Sequence, residues 1–322
     1  MKKAKINVMD LIPIITLVVI FVFFSIYSGG RTVSLYNIKN IVIAVLPVAI
    51  GALGVIFVVS LGSTDISVGG NAALSATLGG YIAGTVHPAL FIPVTLIISM
   101  AIGLLVGFVV TKFRMPSFMT TLAFLIALKG LLNYTITVGL VYPPAGSGFI
   151  KEFWFALILL VILCIIAYFV FERTRFGYYC KCIGENERTV SSVGINVRKI
   201  RMICFVISGL MAGIFGFITF VKVGGSSNSL CNMMEMKIQM AIFLGGILVS
   251  GGFSAKLYKV IIGSITIAVI ENGLTISQVP STVSEAVEGI LLIVILIVTV
   301  TFSRKAQIRE AEGAKKGEAA AQ

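Results

Sequence analysis

CIGENERTVSSVGINVRKIR, residues 182–201, is charged and polar in a chain that is otherwise mostly apolar. Widened to 172–201, the island carries seven Lys/Arg: Arg173, Arg175, Lys181, Arg188, Arg198, Lys199 and Arg201. An apolar run of about twenty residues flanks it on each side. About twenty apolar residues are what a helix needs to cross the hydrocarbon layer. The island therefore reads as a loop between two membrane spans.

The rest of the chain repeats that pattern. Its 322 residues are 58% hydrophobic and only 12% charged, with a mean hydropathy of +1.06. Soluble domains carry about 25% charged residues. Half that share, with recurrent long apolar runs that do not alternate, predicts an all-α polytopic membrane protein and excludes an outer-membrane barrel. Ten spans are expected, near 11–28, 41–60, 71–86, 91–110, 117–138, 153–171, 202–221, 238–250, 260–276 and 283–302. The start, MKKAKINVMDLIPIITLVVIFVFFSIY, has a basic head and an apolar run but no A-x-A site, so it is expected to stay as the first span. Residues 1–302 are expected to form the transmembrane domain, and the polar, small-residue tail SRKAQIREAEGAKKGEAAAQ, 303–322, is expected to be a flexible cytoplasmic end.

Two expected spans, 71–86 and 238–250, are short and adjoin glycine clusters, Gly62 to Gly70 and Gly245 to Gly252. Short, Gly-interrupted helices in corresponding places mark broken helices that line a path. Pairing spans 2–5 with spans 7–10 puts five spans between equivalents, so the repeats are inverted in the membrane. Small residues at four-residue spacing, Gly80/Gly84, Gly103/Gly107 and Gly209/Gly213, read as close helix contacts.

Orientation follows from Lys/Arg. Starting inside, the inner segments hold 19 of the 25 and the outer segments five, with Lys129 inside a span. That split puts both ends and residues 172–201 in the cytoplasm. The net charge of +12 is then loop charge, and nucleic acid is not expected as a partner. The five cysteines offer no pair on the outer side, and Cys180-Lys181-Cys182 lacks a second ligand pair, so no metal site is expected.

No phosphate-binding loop, H-E-x-x-H or nucleophile–base pair is present, and the one histidine, His87, sits beside Pro88 in an outer loop. The chain reads as a non-enzyme that binds no cofactor itself. Within or beside spans lie Asp65, Lys129, Glu271 and Glu288. Charges there face a cavity or a partner. They would suit an ion-driven carrier, or Asp65 caps the helix after the glycine break with help from Ser67.

The island has helix signals of its own. Gly184 is expected to break the chain, Asn186 to cap, and Glu187 to sit in the first turn of a short helix, Glu187–Val193, ended by Gly194 in the left-handed conformation. A structured loop of this length exceeds what orientation requires and reads as a docking knob.

With those residues in view, TRFGYYCKCIGENERTVSSVGINVRKIR, 174–201, resembles the cytoplasmic loop of permease subunits of ribose-type ATP-binding cassette importers, in the branched-chain amino acid/sugar permease superfamily. DISVGGNAALSA at 65–76, MPSFMTTLAFLIALKGL at 115–131, LGGILVSGG at 244–252 and ENGL at 271–274 are similar to further segments of that family, in the same order. Gly62-Ser63-Thr64-Asp65 stands where G-G-I-D is common, and Thr189-Val190 where alanines are usual.

The resemblance implies a larger-type importer permease fold of about ten transmembrane helices. It also implies a second permease subunit (the same chain or a paralogue), a cytoplasmic ATPase carrying ATP-Mg, an external substrate-binding protein and surrounding lipid. Contact with the ATPase would fall to Arg175, Gly177, Gly184, Glu185, Asn186, Glu187, Arg188 and Gly194. A sugar path should be polar and uncharged. Its candidates are Ser63, Thr64, Ser67, Asn71, Thr120, Asn133, Ser250 and Asn272, with Asp65 at its border and the Gly245-Gly246 break beside it. The expected function is import of a monosaccharide such as ribose, xylose or galactose across the bacterial cytoplasmic membrane. A nucleoside, branched-chain amino acid or autoinducer permease is the alternative, and an ion-driven carrier a third.

Overall fold

The computed structural model describes residues 8–280, together with 283–287, 289–291, 293, 294, 297 and 301. Glu288, the tail 303–322 and much of the expected last span lie outside the described residues. Every regular element among the described residues is helical. The chain begins with α1 (Val8–Tyr27), α2 (Leu35–Ser60), α3 (Val68–Thr85), α4 (Phe91–Phe113), α5 (Ser117–Val138) and α6 (Phe153–Tyr168). It continues with α7 (Arg175–Glu185), α8 (Glu187–Ser192), α9 (Val197–Val223), α10 (Met234–Leu244) and α11 (Leu257–Ile276).

The centre is built on α2 and α9. Helix α2 is apolar on every side and starts at Ser34, whose hydroxyl accepts from Asn37 N at 3.3 Å. A helix hydrophobic all round is an interior helix. Its most apolar stretch is 78% buried, and that of α9 is 72% buried, against 17% for α6. Helix α9 packs on α2, α3 and α4, while α2 packs on α9, α10 and α11. Helix α3 lies on α4 and α5, α10 on α11, α1 on α11 and α6 on α2.

Close approach makes the α4–α9 seam. A Cβ on Gly103 would come within 3.1 Å of the Gly209 Cα, and one on Gly209 equally near the Gly103 Cα. Two of the three small-residue pairs thus face each other, whereas a Cβ at Gly84 would meet only open space.

Among the described residues, six helical stretches are long and apolar enough to cross a membrane: Leu35–Ser60, Pro88–Phe113, Ser117–Val138, Phe153–Arg173, Val197–Val223 and Leu257–Ile276. Helix α10, with 11 residues, rises only about 16 Å and cannot cross alone. It was expected to run over 238–250. Instead it ends at Leu244, because Gly246 (φ +76°), Gly251 (φ +75°) and Gly252 (φ +68°) adopt conformations no helix contains. Helix α9 starts at Val197, earlier than the expected 202, capped by Asn196 accepting from Lys199 N at 3.0 Å.

The basic island corrects a second expectation. It contains two helices where one was expected. Gly184 does not break the chain; it lies in the last turn of α7. Thr174 caps α7 by accepting from Gly177 N at 3.4 Å. Cys180 of α7 is fully buried, with its Sγ 3.5 Å from that of Cys204.

Candidate functional site

The polar island is clamped to the helix bundle by two carboxylates. Glu172, just after α6, accepts from Lys181 Nζ at 2.5 Å and from Leu257 N at 3.2 Å. Lys181 also lies 4.5 Å over the Phe171 ring, which packs edge-on against Phe57 of α2 at 5.0 Å. Glu185 accepts from Phe253 N at 2.9 Å. Glu185 therefore reaches from the island into the loop that follows α10, and Glu172 reaches the start of α11.

Asn186 then turns the chain to an extended conformation and caps α8, accepting from Arg188 N at 3.1 Å and Thr189 N at 3.2 Å. Glu187 pairs with Arg201 at 2.7 Å. Val190 is the buried foot of α8, and Val193 stands 69% exposed beside it. Gly194 takes φ +85° where the chain turns back toward α9. Arg175, Glu185, Asn186, Glu187 and Arg188 are exposed, whereas Gly177 is buried against the Phe171 backbone.

Beneath this surface the two glycine breaks meet. A Cβ at Gly62 would lie 3.0 Å from the Ser250 carbonyl oxygen. One at Gly251 would lie 2.7 Å from Ser60 O and 2.8 Å from Gly62 N. Gly184 closes the junction from the island side, since a Cβ there would fall on Ser60 O and within 2.5 Å of Gly252 N. Three separate pieces of backbone thus share one contact point.

Asp65 organises the first break. Its Oδ1 accepts from Ser67 N at 3.0 Å and Ser67 Oγ at 2.6 Å, and its Oδ2 accepts from Ser208 Oγ of α9 at 2.6 Å. Gln239 of α10 donates to the Asp65 carbonyl at 3.1 Å. Asp65 was expected to cap the following helix. It instead makes a local turn with Ser67 and ties that turn to α9. Thr64 N donates to Ser117 Oγ at the start of α5 at 2.9 Å.

The structure gathers Ser63, Thr64, Asp65 and Ser67 at this break, with Ser250 brought to Gly62 from the second. Gly245 and Gly246 lie at the end of α10, where a Cβ on Gly245 would fall on the Lys259 carbonyl. The other path candidates are dispersed. Asn71 donates to Ser99 O of α4 at 3.1 Å, Thr120 donates to Pro116 O within its own turn at 3.0 Å, and Asn133 is exposed on α5. Asn272 exchanges two hydrogen bonds with Asn37, at 2.7 and 2.9 Å, joining α11 to α2. Replacing Asn272 by alanine is expected to cost about 1 kcal/mol of stability and leave solute preference unchanged; thermal unfolding and competition uptake measure the two.

Sequence reasoning missed the partners of the charges. Lys129 of α5 donates to Asn232 at 3.1 Å and pairs with Glu235 of α10 at 3.4 Å. Lys237, two residues on, pairs with Glu271 of α11. Composition showed lone charges in or near spans, and only the packing shows which ones meet. Glu172, Ser208 and Gln239 carried no motif and were missed as well.

A match to the family described as "Branched-chain amino acid transport system / permease component" covers residues 37–296, from the first turn of the central helix α2 to beyond α11. The chain belongs to that family. Among its relatives, the xylose transport system permease protein of Haemophilus influenzae is 27% identical over 92% of this chain and 98% of its own length. The ribose import permease protein of Escherichia coli K12 is 27% identical over 81% of this chain and 85% of its own. The galactofuranose transporter permease protein of E. coli K12 is 28% identical over 78% and 76%. No solved structure matches the chain. As a member of this permease family with six helices among the described residues able to cross a bilayer, it is an integral membrane protein.

Proposed function

We propose that this chain is the permease subunit of an ATP-driven importer that carries a monosaccharide of the ribose, xylose or galactose type into the bacterial cytoplasm. An external binding protein delivers the sugar. A second permease subunit completes the path, and a separate cytoplasmic ATPase holds ATP-Mg and hydrolyses it. Both ends of this chain and α7–α8 face the cytoplasm, as the Lys/Arg asymmetry favours. Ten spans in two inverted repeats account for the packing. The contacts of α9 with α3 and α4 are answered by those of α2 with α10 and α11, and α3 on α4 by α10 on α11.

The observation that carries the reading is the three-way contact of Gly184 with Ser60 and Gly252, held by Glu172 and Glu185. An ATPase closing on α8 would displace α7, and α7 cannot move without moving both helix breaks. Small shifts at such an interface are amplified because packed elements switch between discrete arrangements. The monosaccharide class rests on the sugars in the relatives' names. An ion-driven cycle finds little support, because Asp65, Glu235 and Glu271 each already hold a donor.

The test is gentle extraction of tagged chain from its native membrane and identification of what copurifies. Wild type is expected to bring an ATPase with it, and Glu187→Arg to lose it while remaining folded, because the change reverses charge on the exposed face of α8. Ligand release from the copurifying binding protein identifies the sugar. Absence of any ATPase under conditions that preserve related complexes would refute the reading.

A further inference from the structure

A cleft of about 780 Å³ opens between the end of α4 and the start of α9, beside α8. Its polar lining includes Thr111, Arg114, Glu187, Asn196, Arg198 and Arg201. Three guanidinium groups thus face one space with a single carboxylate. That carboxylate is engaged, since Glu187 pairs with Arg201 at 2.7 Å. Among the described residues no carboxylate lies within ion-pair distance of Arg114 or Arg198. The Arg201 Nε is buried and has no hydrogen-bond partner among the described groups. The cleft therefore holds two uncompensated cations and one orphaned donor.

We propose that this cleft binds a phosphate group, carried by the headgroup of an anionic phospholipid or by free phosphate. Guanidinium forks match the oxygen spacing of phosphate and donate two parallel hydrogen bonds to it. The Asn196 side chain, whose Oδ1 accepts from Lys199 N, stands at the same wall. The depth of the cleft favours the lipid. Lys112 of α4 lies 4.9 Å over the Phe108 ring and 6.0 Å from that of Phe113. An amine lying along aromatic rings at a helix end marks the headgroup layer. Phe113 and Met115 are exposed next to Arg114, so acyl chains would have an apolar surface to follow. Basic pockets between helices on the cytoplasmic side are where anionic headgroups settle. This last argument rests on the orientation proposed above.

The full-length chain, alone and copurified with its ATPase, is equilibrated in bilayers of mixed phosphatidylglycerol and phosphatidylcholine, and the retained lipid is quantified. A parallel melt compares inorganic phosphate with chloride at equal ionic strength. Wild type is expected to enrich phosphatidylglycerol, and R114Q and R198Q each to lower that enrichment about fivefold. The change K199Q, at a lysine outside the lining, is expected to leave it unchanged. Phosphate stabilisation that R114Q/R198Q abolishes, without lipid preference, assigns the site to free phosphate. The proposal is overturned if neither effect is seen, or if both survive R114Q/R198Q. An equal response to K199Q would mean general surface charge and also overturn it. Enrichment that disappears once the ATPase is bound gives the cleft to that partner instead.

Discussion

Gly184→Val is expected to abolish ATP-driven uptake while the rest of the bundle stays folded. The new Cβ falls on the Ser60 carbonyl oxygen and within 2.5 Å of Gly252 N, and neither is the end of a flexible side chain that could swing away. Overpacking a tight contact costs about 1–3 kcal/mol, and backbone on two sides leaves little room for relief. The least costly response is for the last turn of α7 to lift off, which breaks the Glu185–Phe253 hydrogen bond of 2.9 Å. Movement of α8 then no longer reaches the helix breaks. Initial uptake in sealed vesicles should fall by at least tenfold, with copurification of the ATPase retained, because the exposed face of α8 is untouched. Gly194→Ala serves as the comparison. Its φ of +85° costs about 1–2 kcal/mol for a residue with a Cβ, but the Cβ meets nothing within 4 Å. Full uptake by Gly184→Val would mean that the shared contact transmits nothing.

Asp65→Ala is expected to lower stability by about 3–5 kcal/mol. The carboxylate is buried and receives hydrogen bonds from Ser67 N, Ser67 Oγ and Ser208 Oγ. Alanine leaves these donors without an acceptor in a site closed to water, at about 1–3 kcal/mol each. Asp65→Asn keeps one acceptor oxygen and should recover roughly half of the loss. Ser208→Ala, which removes one donor from the α9 side, should cost about 1 kcal/mol. Thermal unfolding of the purified variants measures all three. If Asp65→Ala melts with wild type yet stops uptake, the residue serves the solute and not the framework.

Much of the fold could be read in advance because bilayer thickness is a strong constraint on sequence. Helices α4, α5, α6 and α11 fall within a few residues of the expected spans. Their boundaries are set by where apolar residues stop. The path was harder to read. Asn71, Asn133 and Asn272 are the polar residue type a sugar path would use, but a polar side chain inside a span serves equally well to join helices. Asn71 bonds to α4 and Asn272 to α2. Periodicity cannot separate these roles, because both place the side chain on an inward face. The island was half legible. The Asn186 cap and the Gly194 turn follow from local chemistry and are present. Helix α7 was missed because Gly184 looked like a break. Its reason for being glycine is a neighbour more than a hundred residues away, Ser60, which no local pattern discloses.

The two ion pairs of α10 limit how that helix can move. Glu235 reaches α5 and Lys237 reaches α11. Two positions along a helix are about 200° apart around its axis. The bonds therefore pull on nearly opposite sides of an eleven-residue cylinder. Sliding it sideways toward either neighbour shortens one bond as it lengthens the other. Tipping it about the line that joins them changes neither length to first order. Rocking about that line is the motion of α10 that leaves both ion pairs intact, and Gln239, bonded to the Asp65 carbonyl, would carry the first helix break along with it.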